Sequence, residues 1–407
     1  MRKRIRTQRI QTSGNRRRRI MLAVTSDVSL RLMRGFPEYL DKNGWEVHVV
    51  CSPGPVFDTK ANDGPVRYHA LAMRRDLAPF QDIRALAAWV RLCREVQPDL
   101  ISAGTPKAGL LGCLAGWFTR VPRRVYHQRG LRLETSRGLQ RLILGISERV
   151  AVRAAHTVLA VSPSLRDVIV RLKLSTPEKI VVVGAGSSNG VDLQEFDPGR
   201  FGADEVSEMR SSLGLRHAVP TIGYVGRLTQ DKGFNVLEEA VLRLRDMGTV
   251  FDLLIVGEVD DVISHRTLDR LLGSGLVVAT TGAVGDPAIY YQVMDVFCLP
   301  THREGYPNVV LEASASGKAT VTTDATGAID SVIPGVTGVI VPMGDSKALA
   351  EEMARLLALP SQLAVMGREA RRYVGEHFDR PVVWSGLLDF YDTQSDLGNN
   401  QVVQSNM

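Results

Sequence analysis

From Ile20 onward the chain alternates short apolar, β-branched runs with longer stretches whose apolar positions recur at helical spacing. The runs from Met21 to Thr25, Trp45 to Cys51, Leu100 to Ala103, Arg124 to His127, Thr157 to Val161 and Ile180 to Val183 read as strands. Between them, Leu30 to Lys42, Ile83 to Val96, Ala108 to Phe118, Gln140 to Ala155 and Ser164 to Leu172 read as helices. Strictly alternating strand and helix predicts a parallel sheet covered on both faces. The rhythm breaks at the turn-rich Gly184 to Asp192 and Asp197-Pro198-Gly199, then restarts. Thr221 to Val225, Asp252 to Val256, Leu276 to Ala279, Val296 to Leu299, Ala319 to Thr322 and Gly338 to Val341 are predicted strands, with helices opening near Phe234, Thr267, Tyr290, Asn308, Ala328 and Lys347.

The pattern predicts an α/β protein of two Rossmann-like, doubly wound domains facing each other across a cleft, residues 19–195 and 196–378. A chain of 407 residues is long enough for two cores. Residues 379–394 have an apolar face suited to a helix packing back on the first domain, and the polar residues 395–407 are expected to be loose.

The net charge of +6 is uneven: residues 1–19 hold nine Arg or Lys and no acid, and the remainder is slightly acidic. Residues 1–18 are therefore expected to form a basic, disordered tail, either a solvated leader or a segment attracted to an anionic membrane surface rather than to nucleic acid. Ile20 to Val24 is too short for a secretory core, and the longest apolar stretch, Ala108 to Phe118, is too short to span a bilayer. Cys51, Cys93, Cys113 and Cys298 are scattered among apolar neighbours without metal-ligand spacing, which predicts buried thiols in a reducing, cytoplasmic setting.

The candidate chemistry sits beyond strand ends in the second half. Gly226-Arg227 follows one strand directly, and Lys232-Gly233 stands at the mouth of the next helix. A planar guanidinium, a mobile ammonium and a helix N-terminus together suit a diphosphate. Glu304 precedes Gly305-Tyr306-Pro307-Asn308, and Glu312 lies a turn inside the helix that follows; carboxylates so placed suit sugar and ribose hydroxyls, although each also fits a structural acid. His127 ends a predicted strand two residues before Arg129. No Asp-x-Asp, His-x-His or P-loop occurs, so no metal ion or other cofactor is expected, and charge on a departing phosphate falls to Arg227 and Lys232.

These residues resemble the retaining GT-B glycosyltransferases of family four, group 1. Gly226-Arg227 with Lys232-Gly233 looks like that family's diphosphate clamp, and Glu304 to Glu312 has its E-x7-E spacing. Asn189-Gly190-Val191-Asp192 with Phe196, and Asp330-Ser331-Val332 through Gly338, resemble further family segments. Ser29-Leu30-Arg31, Thr105 to Gly109 with Lys107, and Arg129 to Arg132 look most like enzymes that build bacterial surface polysaccharides. The resemblance implies a nucleotide-sugar donor, probed by Gly226, Arg227, Lys232, Glu304 to Asn308 and Glu312, and a lipid-linked saccharide acceptor met by Ser29, Arg31 and Lys107. It implies retention of configuration without metal, with Glu304, Arg227 and Lys232 at the reacting centre and His127 or Arg129 contributing from the first domain. The sequence departs from the family where Thr25 to Ser29 replaces a glycine-rich first loop and where Arg129 stands in the place of a histidine. Epimerase or phosphorylase chemistry on the same fold, or a non-catalytic binding module, remain open alternatives.

Overall fold

A computed structural model describes residues 16–61, 64–74 and 78–405. The first sheet contains β1 (Arg18–Ala23), β2 (Trp45–Cys51), β3 (Arg67–Ala70), β4 (Leu100–Gly104), β5 (Arg123–Gln128), β6 (Thr157–Ala160) and β7 (Ile180–Val181), ordered β3-β2-β1-β4-β5-β6-β7 with every pair parallel. The second contains β8 (Thr221–Val225), β9 (Asp252–Val256), β10 (Val277–Thr280), β11 (Val296–Leu299), β12 (Ala319–Thr323) and β13 (Gly338–Val341), ordered β10-β9-β8-β11-β12-β13, again parallel throughout. In each sheet the direction of growth reverses once, between β1 and β4 and between β8 and β11. Such a reversal opens a crevice beyond the carboxyl ends of the strands.

Several elements differ from the sequence expectation for local reasons. The edge strand β3 carries exposed Arg67 and half-buried Tyr68 and His69, so no apolar alternation betrays it. The predicted helix from Leu30 to Lys42 is two pieces, a 3-10 segment Asp27–Met33 and a helix Phe36–Lys42, divided at Gly35 (φ +82°), where a Cβ would sit 2.8 Å from the Trp384 ring. The helix expected from Thr267 starts at Val262, because the Asp261 carboxylate accepts the Ser264 amide at 2.7 Å. The one expected at Ala328 shrinks to the 3-10 turn Ile329–Ser331 ahead of Pro334.

Both ends of the described part of the chain lean on the first domain. Arg16 and Arg17 pair with Asp99 and Asp41, Arg18 with Asp392, and Arg19 with Glu46, so this end of the basic run is not loose; β1 begins at Arg18 because those acids neutralise it. Residues 1–15 of the expected tail lie outside the described residues. The last helix, Arg380–Ser405, buries Val383, Leu387 and Tyr391 among Ile20, Leu22 and Trp45, each contact surface worth about 2 kcal/mol. It continues well past residue 394, where a loose tail was expected, because Gln394 accepts a hydrogen bond from Thr157 at 3.0 Å and Ser395 is buried. The linker is held to this helix: Trp384 Nε1 donates to Asn189 at 2.9 Å and Arg380 binds Asp192 at 2.7 Å. All four cysteines are buried and free, and burial raises each thiol pKa. Among the described residues, no helix is long and apolar enough to cross a membrane.

Candidate active site

The crevice of the second sheet is shaped by glycines before any charged group enters it. Gly226 follows β8 at φ +150°, and a Cβ on Gly257, beyond β9, would lie 1.8 Å from the Gly226 carbonyl oxygen. Gly233 (φ +72°) would bring a Cβ within 1.7 Å of the Pro300 carbonyl oxygen, so the helix Phe234–Asp246 starts hard against the end of β11. No side chain caps that helix, which leaves its N-terminal amides and partial positive charge toward the crevice.

The cations stand on this frame. The Arg227 carbonyl accepts from the Tyr224 hydroxyl at 2.9 Å, while the exposed guanidinium pairs with Asp260. Lys232, largely buried, donates to Glu304 Oε1 at 2.5 Å, and the Glu304 amide is fixed on the Thr326 carbonyl at 2.9 Å. Behind them lies Asp231. Burial works to raise its carboxyl, but the Thr229 hydrogen bond and the charges of Lys232, Arg303 and Arg227 outweigh it and hold the group below the usual range.

Gly305 is where the domains touch: a Cβ there would lie 2.1 Å from the Arg129 carbonyl oxygen and 3.0 Å from the Gly130 nitrogen. Tyr306 is buried, its ring against Phe378 and its hydroxyl on the Asp330 carbonyl at 3.0 Å, so it supports the loop from within rather than facing a donor. Pro307 occupies the N-cap of the helix Asn308–Ala315, not its first turn, and the Asn308 side-chain oxygen is buried without a partner among the described residues. Glu312 points from that helix to the Tyr291 hydroxyl at 2.8 Å. Burial, reinforced by Glu195, pushes its carboxyl up to about 7 against the opposing influence of Tyr291, Arg31 and Arg380.

Residues 219–359 match the group 1 glycosyl transferases, and residues 31–186 match the glycosyl transferase 4-like domain. The capsular polysaccharide biosynthesis glycosyltransferase CapM of Staphylococcus aureus is 37% identical over 376 residues, 92% of this chain and 97% of CapM. The chain belongs to the group 1 glycosyltransferases. A second relative of this glycosyltransferase is N,N'-diacetylbacillosaminyl-diphospho-undecaprenol alpha-1,3-N-acetylgalactosaminyltransferase of Campylobacter jejuni, 26% identical over 78% of the chain and 83% of the relative. The fold is shared with HepE of Anabaena, solved in complex with UDP and glucose, at a TM-score of 0.74 and 20% identity, covering 92% of this chain and 99% of HepE.

In this glycosyltransferase the first-domain candidates divide. His127, at the end of β5, is buried; burial and the neighbouring Arg129 hold its pKa well below the usual range, so the imidazole is neutral, and Nε2 has no partner among the described residues. The Arg129 peptide faces Gly305, but its side chain turns into the first domain, with Nη2 3.4 Å from His127 Nδ1. Burial lowers that guanidinium to about 10, still protonated at neutral pH. His127, Arg129, Ser102 and Tyr391 line a cavity of about 10 Å³, room for one water. Ser29 lies 3.2 Å from Ser26, whereas exposed Arg31 is close enough for its charge to act on Glu312. Lys107 does not join this cluster: it is nearly buried and bound to Asp82 at 2.6 Å, a helix-to-helix pair that takes up the charge expected to meet the acceptor.

The sequence reading missed the partners of its own candidates. Asp260 and Tyr291 hold Arg227 and Glu312, and nothing in the motif spacing points to either. It also missed the clasp between domains, in which Thr326 donates to Glu134 at 2.6 Å and the Gly327 amide donates to Ser164 Oγ at 2.7 Å, with Ser164 also bonded to Asp330. Ser162-Pro163-Ser164, a helix-start signature, was the available signal.

Proposed function

We propose that this glycosyltransferase moves a hexose or N-acetylhexosamine from a nucleotide sugar, of the UDP class, to a lipid-linked saccharide at the inner face of the cell membrane, in cell-surface polysaccharide biosynthesis. The observation that carries the reading is the Lys232–Glu304 pair standing beside Arg227 at the reversal point of the second sheet. A donor diphosphate there would take the exposed Arg227 from Asp260 and share Lys232 with Glu304. Glu304 would then lie beside the sugar and Glu312 beside the ribose, one turn along the same helix entrance. The relative from Campylobacter jejuni is named for a diphospho-undecaprenol acceptor, and the HepE complex for UDP and glucose; both agree with these choices.

In this reading the bond from the anomeric carbon to the diphosphate oxygen breaks while the acceptor oxygen bonds to the same face of the sugar. The acceptor proton passes to a phosphate oxygen, and configuration is retained. The leaving diphosphate is stabilised by Arg227, Lys232 and the N-terminus of the helix Phe234–Asp246, without a metal ion. Nucleotide release from UDP-, GDP- and ADP-sugars, measured with a lipid-diphosphate saccharide in EDTA, tests the proposal. Acceptor-dependent release from a UDP-sugar and an anomeric coupling constant matching the donor are expected. Release without glycoside product, an inverted anomer, or turnover abolished by EDTA would each overturn the corresponding part.

A further inference from the structure

The helices Pro79–Val96, Pro106–Phe118 and Gly138–Ala154 lie side by side on one face of the first sheet, with the second in the middle. Their outer surface is unlike the rest of the domain. Phe80 and Ile83 are 85% and 67% exposed on the first helix, Trp117 and Phe118 about equally open at 56% and 55% on the second, and Leu139 and Leu142 are 71% and 57% exposed on the third. An open groove between the first two helices is floored by Ile83, Leu86, Val90 and Phe118 and edged by Arg91 and Arg94. Clustered aromatic and aliphatic side chains left in water on neighbouring helices mark an interaction surface.

Charge decides what it fits. Arg84, Arg91, Arg94, Arg120, Arg137 and Arg153 are exposed here and make no ion pair among the described residues. Of the acids on the three helices, Asp82 is bound by Lys107, Glu148 is buried on Tyr126 at 2.9 Å, and Glu95 alone is exposed. We propose that this face docks on an anionic lipid bilayer, its apolar side chains entering the headgroup boundary and its arginines meeting lipid phosphates. Apolar bulk ringed by guanidiniums, rather than balanced charge, is what a negatively charged membrane surface complements. Each of these helices runs back from the carboxyl end of a strand, so Phe80, Ile83, Leu139 and Leu142, in their first turns, lie at the end of the face nearest the cleft. Docking would therefore hold the cleft mouth beside the lipid headgroups. Only this placement of the acceptor rests on the lipid-linked reading above.

The test is flotation of the full chain with vesicles of phosphatidylcholine alone and of phosphatidylcholine mixed with phosphatidylglycerol. Wild type is expected to float with the mixed vesicles and to do so less as salt rises. The variant F80S/I83S/L139S/L142S should lose flotation, and R91S/R94S should partition about fivefold more weakly per arginine removed. Trp117 is the exposed one of four tryptophans, so brominated lipid should quench its emission in wild type and not in Trp117→Phe. Turnover on a water-soluble saccharide should be unchanged in every variant, separating docking from catalysis and showing that each is folded. Wild type left unfloated by anionic vesicles at low salt, variants that float as well as wild type, or a lipid-free dimer that the apolar variant abolishes would each overturn the proposal, the last by assigning the face to a second copy.

Discussion

At the reversal point of the first sheet, β1 and β4 lead into Thr25 and Thr105, whose hydroxyls lie 2.8 Å apart, and the Thr25 amide also donates to Thr105 at 2.9 Å. Asp27 closes the same crevice by accepting the Val28 and Val56 amides, with Gly54 so near that a Cβ would meet its carboxylate at 2.3 Å. At the reversal point of the second sheet, β8 and β11 lead instead into Gly226-Arg227 and the Thr301 to Glu304 loop, where Lys232 and Glu304 meet beside an uncapped helix. One strand order thus yields one crevice filled by its own side chains and another floored by glycine and edged by charge. Topology supplies the place, and loop chemistry decides whether anything can occupy it.

The largest break in this contrast is expected at Lys232. Lys232→Ala should lower kcat/KM for nucleotide release by about 10²- to 10³-fold, the effect of losing a preorganised donor at a developing negative charge. Loss of only a few-fold would remove Lys232 from the centre. Next comes Glu312→Gln, expected to raise donor KM about tenfold and to abolish any dependence of that KM on pH around 7.

The same substitution has a stability signature of defined sign. Burial raises the folded-state carboxyl above its unfolded value, so the contribution of Glu312 to stability is full at acid pH and is lost as pH rises through about 7. Glu312→Gln should therefore melt above wild type at alkaline pH and lose that advantage in acid, as read by thermal unfolding. A wild-type-like melt in both conditions would show that the group ionises freely.

In the first domain the effects should be structural and smaller. Asp27→Ala is expected to cost about 1 kcal/mol in denaturant unfolding, as for a lost helix-end acceptor, while donor affinity by calorimetry stays unchanged. Lys107→Ala should be milder still, below about 1 kcal/mol, since its carboxylate partner retains some solvent contact. A large loss of turnover on the lipid-linked acceptor in Lys107→Ala would show that the first crevice also works on substrate.

Twelve of the strands were legible because buried parallel strands leave unbroken β-branched runs; β3 escaped because an edge strand half in water needs none. Arg227, Lys232, Glu304 and Glu312 stood out in the sequence because short spacings tie them to strand ends and a helix start, and of these the fold pairs Lys232 with Glu304. Their other partners did not stand out. Asp260 lies 33 residues from Arg227 and Tyr291 lies 21 from Glu312, so only three-dimensional packing pairs them. The burial of Tyr306 was hidden for the same reason, since Asp330 lies 24 residues away, and so was the first domain resting on the second at Gly305, which no local pattern encodes.

That resting place is made of main chain. A Cβ on Gly305 would meet the Arg129 carbonyl oxygen at 2.1 Å and the Gly130 nitrogen at 3.0 Å, while Gly327 (φ +76°) backs Gly305 from within the second domain. Bare peptide planes meeting this way have no interlocking knobs to disengage, so the two halves could separate and reunite without rearranging either interior. Spent nucleotide would then leave through a gap opened by releasing the few hydrogen bonds of Ser164 and Glu134. A methyl group at Gly305 would act as a wedge, holding the jaws ajar.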